Sequence, residues 1–345
     1  MNLEQLESVA RAMVADGKGI LAADESSPTI TKRFDSIGAE STEEIRRGYR
    51  EMLFTTPGAG DYISGVILYD ETIRQKTRDG VPFPKYLADH GMIPGIKVDA
   101  GAKPLAAFPN EKITEGLDGL RERLKAYREL GAKFAKWRAV IVIGGGDAKD
   151  IPSEFCLRAN AHALARYAAL CQEADIVPIV EPEVLMDGPH AIGRCEEVTA
   201  RTLELTFAEL KAHRVAYEGM ILKPNMVISG AEARDRASPR EVAEATVRCL
   251  TEHVPPAVPG IAFLSGGQTA EEATEHLSIM NALGPHPWEL SFSYGRALQA
   301  PALEAWRGRQ NNFAAGQQAF FKRAKLNGLA RAGRYDSSME MDTAA

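Results

Sequence analysis

Long apolar segments are absent from this sequence of 345 residues. No stretch reaches the roughly 18 consecutive apolar residues that a transmembrane helix needs. Residues 1–5 have neither the basic start nor the apolar core of a secretory signal peptide. We therefore expect a cytoplasmic protein that does not bind a membrane.

Cysteine and histidine are also scarce, with four and seven residues respectively. The four cysteines, Cys156, Cys171, Cys195 and Cys249, form no C-x-x-C pair, which favours reduced thiols in the core over disulfide bonds. The histidines show no H-x-x-x-H or H-E-x-x-H spacing, so a zinc site has little support. We predict that the function of the protein requires neither a metal ion nor a cofactor.

An excess of positive charge is missing as well. Lysine and arginine number 41 against 47 aspartates and glutamates, and the net charge is -6. Proteins whose main partner is nucleic acid usually present a basic surface. The charge balance therefore disfavours nucleic acid as a partner.

Short apolar strands and amphipathic helices alternate along the chain. The first helix, near residues 3–15, places Leu3, Leu6, Val9 and Met13 on one stripe. The predicted strands are short apolar runs bounded by turn residues. They cover residues 19–25, 63–69, 93–99, 134–143, 176–183, 220–227, 260–267 and 290–295.

Eight strands, each followed by a helical pattern, predict an α/β protein built as a single (β/α)8 TIM barrel. No break in composition marks a linker, so residues 1–345 are expected to form one domain. We expect the N-terminal helix to precede a barrel over about 17–300. C-terminal helices over about 301–331 and a mobile tail over about 332–345 should follow.

Capping residues mark several predicted helix starts. Ser27 and Pro28 are expected as the N-cap and the first helical residue after the first strand, and Ser41 with Glu44 as a capping box for a helix ending near residue 54. The remaining expected caps are Ser153, Ser238 with Glu241, and Thr269 with Glu272.

A lysine interrupts the apolar run of residues 220–227. If Lys223 is buried there, the apolar surroundings disfavour its ammonium form, and the neutral amine is a nucleophile for carbonyl carbon. The alternative is a lysine at a strand end whose ammonium group reaches solvent. Whether Lys223 is a buried nucleophile or a solvent-exposed ammonium group depends on the residues around it.

Polar residues stand late on several of the predicted strands, where TIM barrels place their chemistry. Side chains two positions apart in a strand share a face. Six such residues can therefore converge on Lys223: Asp24, Lys97, Lys136, Arg138, Glu181 and Glu183. Each could instead be a solvated strand end or half of a structural ion pair. If they converge, a carboxylate such as Glu181 could carry the protons of imine formation.

A phosphate site is predicted after the seventh and eighth strands. Glycines in the segments 265–267 and 293–296 let a phosphate approach backbone N–H groups, and Arg296 can add a bidentate contact. The glycine run 144–146 could be interpreted in the same way. Since no basic residue follows it until Lys149, we interpret it as a mobile loop.

At these residues the sequence resembles the class I, Schiff-base fructose-1,6-bisphosphate aldolases. The resemblance extends from about residue 17 to residue 335. It rests on the segments GKGILAADES (17–26), GIKVD (95–99), FAKWR (134–138), EPE (181–183), LKPNM (222–226), LSGGQ (264–268) and SYGR (293–296).

The resemblance implies a lyase of glycolysis and gluconeogenesis that reversibly cleaves fructose 1,6-bisphosphate to dihydroxyacetone phosphate and glyceraldehyde 3-phosphate. It implies that Lys223 forms the imine and that Glu181 acts as acid and base, assisted by Asp24, Lys136 and Glu183. It assigns one substrate phosphate to Ser265, Gly266, Ser293, Gly295 and Arg296, and the other end of the substrate to Lys32, Arg33, Lys97 and Arg138. It also implies a homotetramer whose partners are small sugar phosphates.

Two departures from the family pattern stand out. Pro28 occupies a position where glycine is common, and the chain ends at Ala345 without the terminal tyrosine of many members. A preference for fructose 1-phosphate or sedoheptulose 1,7-bisphosphate stays open, as does an additional role in binding a protein partner. Intact Lys223, Glu181 and Asp24 argue against an inactive scaffold.

Overall fold

A computed structural model of the chain describes residues 1–144 and 151–341, and parallel strands within these ranges close into one eight-stranded barrel. The barrel strands are β1 (Gly19–Ala22), β2 (Ile63–Leu68), β3 (Ile93–Lys97), β6 (Phe134–Ile141), β7 (Val177–Val184), β8 (Ile221–Leu222), β9 (Gly260–Phe263) and β10 (Glu289–Tyr294). β4 (Ala102–Pro104) and β5 (Lys112–Thr114) form a separate antiparallel pair. The predicted (β/α)8 barrel is confirmed.

Twelve α-helices surround the barrel or extend it within the described ranges. They are α1 (Leu3–Met13), α2 (Ser27–Asp35), α3 (Glu43–Phe54), α4 (Asp70–Arg74), α5 (Phe83–Asp89), α6 (Leu120–Glu129), α7 (Glu154–Glu173), α8 (Ile192–Ala212), α9 (Pro239–His253), α10 (Ala270–Ala282), α11 (Arg296–Trp306) and α12 (Phe313–Arg331). None of these helices is long and apolar enough to cross a bilayer.

Strand side chains alternate between the barrel interior and the outer helices. One buried cluster joins α1 residues such as Leu6 and Met13 to alternate strand residues; its strand members are Ile20, Ala22, Ile67, Phe134, Val177, Ile179, Ile221 and Ala262. Their strand neighbours, such as Leu21, Val180 and Leu222, pack in the larger cluster shared with the surrounding helices. Since the period is two, the α1 cluster identifies the inward face of the strands that contribute to it, β1, β2, β6, β7, β8 and β9. α1 thereby closes the N-terminal end of the barrel interior.

The strand that precedes Lys223 is shorter than predicted. β8 pairs only at Ile221 and Leu222, followed by single bonds from the Lys223 N–H to the Val180 carbonyl (2.8 Å) and from the Leu264 N–H to the Pro224 carbonyl (3.1 Å). Pro224 has no N–H group with which to continue the ladder. The segment 223–230 nevertheless remains buried, so it resembles a strand in burial but not in hydrogen bonding.

Two of the predicted helix starts are wrong by one residue. Thr42, not Ser41, caps α3: its hydroxyl accepts the Ile45 N–H at 3.2 Å, whereas the Ser41 hydroxyl accepts a bond from Thr31. Ser26, not Ser27, precedes α2, because its carbonyl already accepts the first helical bonds. The caps at Ser153, Ser238 and Thr269 are confirmed, the last two as full capping boxes.

The predicted mobile tail makes defined contacts as far as Glu340. Residues Ser337–Met341 form a 3-10 helix, and Glu340 pairs with Arg323 of α12, a side chain that is only 3% exposed. The Tyr335 hydroxyl also donates to Glu340, at 2.9 Å. The sequence did not predict these contacts, because one ion pair with an arginine distant in the chain produces no periodic pattern in a polar segment. Of the glycine run predicted to be a mobile loop, Gly145 and Gly146 lie outside the described residues.

Candidate active site

Lys223 points into the barrel near the C-terminal ends of the strands. Ile221 lies on the inward face, and Lys223 follows it two positions later. The Lys223 side chain is 5% exposed, and its amine lies 3.4 Å from an oxygen of Glu181. The alternative of an ammonium group that reaches solvent is therefore wrong.

A second buried lysine joins the two carboxylates nearest to Lys223. The Lys136 amine lies 2.7 Å from Asp24 and 3.5 Å from Glu181. Burial by itself lowers the pKa of Lys136, but attraction to Asp24 and Glu181 outweighs it and raises the pKa well above its usual value. Lys136 is therefore a permanent cation at neutral pH.

Asp24 is the matching anion. Burial by itself raises the pKa of Asp24, but attraction to Lys136 and then to Lys223 outweighs burial and holds the pKa far below its usual value. Asp24 follows the inward-facing Ala22 by two positions, which explains why it points to the same interior as the lysines.

A second pair of charges lies one step further along the same strands. Arg138 on β6 forms an ion pair with Glu183 on β7. Burial by itself lowers the pKa of Arg138, but Glu183 reverses this and raises the pKa, so the guanidinium stays charged. On the neighbouring β3, the Lys97 amine contacts a carboxylate oxygen of Asp99 at 2.7 Å.

Backbone groups dominate the opposite side of the site, after β9 and β10. Gly267 has φ +65°, and a Cβ atom built on it would lie 1.7 Å from the Met186 sulfur, so only glycine fits this turn. Gly295 begins α11 without a side-chain cap. The first N–H groups of α11 are therefore available to an anion, beside Arg296.

These residues surround one open cavity of about 410 Å³, here called the barrel cavity. Thirteen of the fourteen predicted site residues line it: Asp24, Arg33, Lys97, Lys136, Arg138, Glu181, Glu183, Lys223, Ser265, Gly266, Ser293, Gly295 and Arg296. Lys32 is the exception, because it lies on the exposed face of α2.

The profile of the family described as "Fructose-bisphosphate aldolase class-I" matches residues 5–345. The chain belongs to the class I fructose-bisphosphate aldolases. It is 61% identical over 336 residues to a "Probable fructose-bisphosphate aldolase class 1" of Xanthomonas campestris pv. campestris, covering 97% of this chain and 99% of that protein. It is 54% identical to "Fructose-bisphosphate aldolase 1" of Toxoplasma gondii, covering 96% of this chain and 91% of that protein.

The fold agrees with this membership. A co-crystal structure of fructose-bisphosphate aldolase from Plasmodium falciparum, in complex with TRAP and a small-molecule inhibitor, superposes with a TM-score of 0.95 at 50% identity. The superposition covers 97% of this chain and 96% of that one. This aldolase is accordingly a lyase of glycolysis that reversibly cleaves fructose 1,6-bisphosphate through a lysine Schiff base.

Sequence reasoning about this aldolase missed Glu25 and Asp99, which also line the barrel cavity. Glu25 pairs with Arg33, lies 2.7 Å from Arg50 and accepts a 2.9 Å bond from Gln299. Its neighbour Asp24 points to the barrel interior, so the alternation gave no reason to expect Glu25 at the site. Asp99 could have been found, since it follows Lys97 by two positions.

Arg33 reaches the aldolase site from α2. A Cβ atom at Gly295 would lie 3.7 Å from Arg33 Nη2, which places the guanidinium beside the start of α11. Arg33 therefore neighbours the Gly295 and Arg296 side of the barrel cavity. This contact depends on how α2 docks on the barrel, which the sequence pattern does not specify.

Proposed function

We propose that Lys223 forms the Schiff base with C2 of the ketose and that Glu181 carries the protons of imine formation. The supporting observation is the 3.4 Å approach of Glu181 to the Lys223 amine in a buried setting. The amine attacks the carbonyl carbon, and loss of water gives the imine. Once protonated, the imine withdraws electrons from C2, so the C3–C4 bond can break to an enamine.

In this proposal, Asp24, Lys136 and Glu183 assist around the reacting carbons. The Lys136 amine lies 3.5 Å from Glu181 and helps to position it. Asp24, 2.7 Å from the same amine, balances the positive charge of Lys136. Such a fixed set of charges needs little reorganisation during the reaction. Glu183 is oriented by its ion pair with Arg138.

We assign the two substrate phosphates to opposite sides of the barrel cavity. Ser265, Gly266, Ser293, Gly295 and Arg296 would hold the phosphate of the triose that stays on Lys223. Lys97 and Arg138 would hold the other end. The arrangement of β9 and β10 on one side of β8, and of β6 and β3 on the other, supports this division.

Two substitutions should separate the phosphate ends. Arg296→Ala should weaken catalysis with both fructose 1,6-bisphosphate and fructose 1-phosphate by about 1.5 to 3 kcal/mol, the value of a charge-assisted contact. Lys97→Ala should harm the bisphosphate far more than the monophosphate, which has no phosphate at that end. Measured kcat/KM values for both substrates test the assignment.

Matched controls are available on the exposed surface. Arg309→Ala and Lys103→Ala remove the same types of charge outside the barrel cavity and should change neither kcat/KM. Equal losses on the two substrates in Lys97→Ala would overturn the assignment of that residue.

The tail suggests a further prediction. Deleting residues 336–345 should leave cleavage and proton exchange at the enamine carbon nearly unchanged, because Tyr335 and Glu340 contact α10 and α12 and do not line the barrel cavity. Tritium exchange from dihydroxyacetone phosphate measures this. Stability should fall by about 1 to 3 kcal/mol, since the buried Arg323 loses its carboxylate partner.

Tyr335→Phe serves as the companion variant. The Tyr335→Phe variant should also retain proton exchange at the enamine carbon. A group of the active site such as Glu183 would then perform the exchange. A large loss of exchange in the deletion, with Tyr335→Phe unaffected, would show that the tail acts on the reaction without a tyrosine.

We also propose a cytoplasmic homotetramer. The cytoplasm is supported by the four free cysteines, all buried, which suit a reducing compartment. The tetramer is supported by the family resemblance, and sedimentation equilibrium tests it by measuring a mass four times that of one chain.

A further inference from the structure

Three side chains that can bind a metal ion lie together on the outer helical layer, between α7 and α8. His162 belongs to α7, Glu209 to the last turn of α8, and His213 is the C-cap of α8. One ligand atom from each of the three lies within 4.8 Å of the others. We propose that these three residues, here called the His162 cluster, bind a divalent transition metal ion such as Zn²⁺.

The donor set suits this class of ion. Two imidazoles and one carboxylate make a combination that zinc uses with water in the remaining position. No local sequence motif predicts this set of ligands, because His162 approaches Glu209 and His213 only through the packing of α7 against α8.

An existing hydrogen bond prepares His213 as a ligand. The His213 Nδ1 atom lies 2.9 Å from the backbone carbonyl oxygen of Glu209, so Nδ1 carries the proton and Nε2 keeps its lone pair. Metal-bound histidines commonly donate their other ring N–H to a carbonyl in this way. Both histidines approach the Glu209 carboxylate: His162 Nδ1 lies 3.1 Å and His213 Nδ1 lies 3.6 Å from Oε2. A bound ion would replace the His162–Glu209 hydrogen bond with two metal–ligand bonds. The two imidazole rings have centroids 4.9 Å apart.

To bind zinc, the ligand atoms of the three side chains need to move only slightly closer together. Ligand atoms around a tetrahedral zinc ion lie about 3.3 Å apart when the bonds are 2.0 to 2.1 Å long. The pair His162–Glu209 is already near that separation. The side chains are accessible, with His162 52% and Glu209 30% exposed, so they can move and admit both the ion and its water.

Two features of the site attract a cation, although Lys211 and Arg214 lie nearby in the chain. The Glu209 carboxylate carries negative charge, and His213 stands where α8 ends, at the negative end of the helix dipole. None of the three residues lines the barrel cavity. An ion there would join α7 to α8 and stabilise the fold without entering the aldolase reaction.

Calorimetric titration of ZnCl2 into the EDTA-treated, dialysed full chain tests the proposal. We expect one zinc site that His162→Ala, His213→Ala and Glu209→Gln each weaken by at least about 10-fold to 100-fold, the loss seen even for residues that only support a ligand.

The matched control is His253→Gln. His253 lies 3.9 Å from the Glu252 carboxylate, and within residues 1–144 and 151–341 no third histidine, cysteine or acidic ligand joins this pair. The His253→Gln variant should retain the zinc site. Zinc should raise the melting temperature of this variant and of the unmodified chain, but not that of the His162, His213 and Glu209 variants. Turnover should be the same with and without zinc. Absence of zinc binding, or binding that survives the three substitutions, overturns the proposal.

Discussion

Replacing Lys223 with alanine is expected to lower turnover of fructose 1,6-bisphosphate by about 10⁴-fold or more, because the covalent step then has no amine. The substitution should leave the fold intact, since Glu181 and Asp24 keep their contacts with Lys136. Steady-state kinetics and circular dichroism measure the two effects separately.

Two companion variants sharpen this test. Lys223→Arg should be as inactive as Lys223→Ala, because a guanidinium keeps its proton and cannot form an imine. Lys133→Ala removes an exposed lysine next to the start of β6 and should retain full turnover. Substantial activity in Lys223→Arg would show that the position supplies charge and not a nucleophile.

Changing Glu181 to glutamine is expected to lower kcat by about 10²-fold to 10⁴-fold, the usual contribution of a positioned acid and base. Glutamine has nearly the same size, and Lys136 retains Asp24 at 2.7 Å, so the charge arrangement is disturbed little. The loss should therefore appear in kcat, with a much smaller effect on the melting temperature.

Glu51→Gln is the matched control for a buried carboxylate. Glu51 is 5% exposed and pairs with Arg47 at 2.8 Å outside the barrel cavity. It should cost stability but not kcat. If Glu181→Gln and Glu51→Gln lowered kcat equally, or if Glu181→Gln retained full kcat, the assignment of Glu181 as the proton carrier would be wrong.

Strand periodicity predicted much of the fold and of the site. The inward positions of Lys136, Arg138, Glu181 and Glu183 follow from an alternation of two, which backbone geometry imposes on any strand. The convergence at one end of the barrel follows from the parallel arrangement of the strands. The predicted position of Lys223 was right although β8 is short, because burial continues past Pro224.

Contacts between distant segments could not be predicted in the same way. Glu25 meets Arg50 and Gln299, which lie 25 and 274 positions later in the chain. Arg33 lies beside Gly295 because of how α2 docks on the barrel. Arg323 holds the tail through Glu340, a single polar contact without any periodic pattern. Each depends on three-dimensional packing, which local propensity does not encode.

Borohydride reduction in the presence of dihydroxyacetone phosphate tests the central claim most directly. Reduction converts an imine into a stable amine, so the triose phosphate should become attached irreversibly to Lys223. Peptide mass mapping then identifies the modified residue, and Lys223→Ala should remain unlabelled. A label on another lysine of the site, such as Lys136, or the absence of any label on the active protein would contradict the assignment of Lys223.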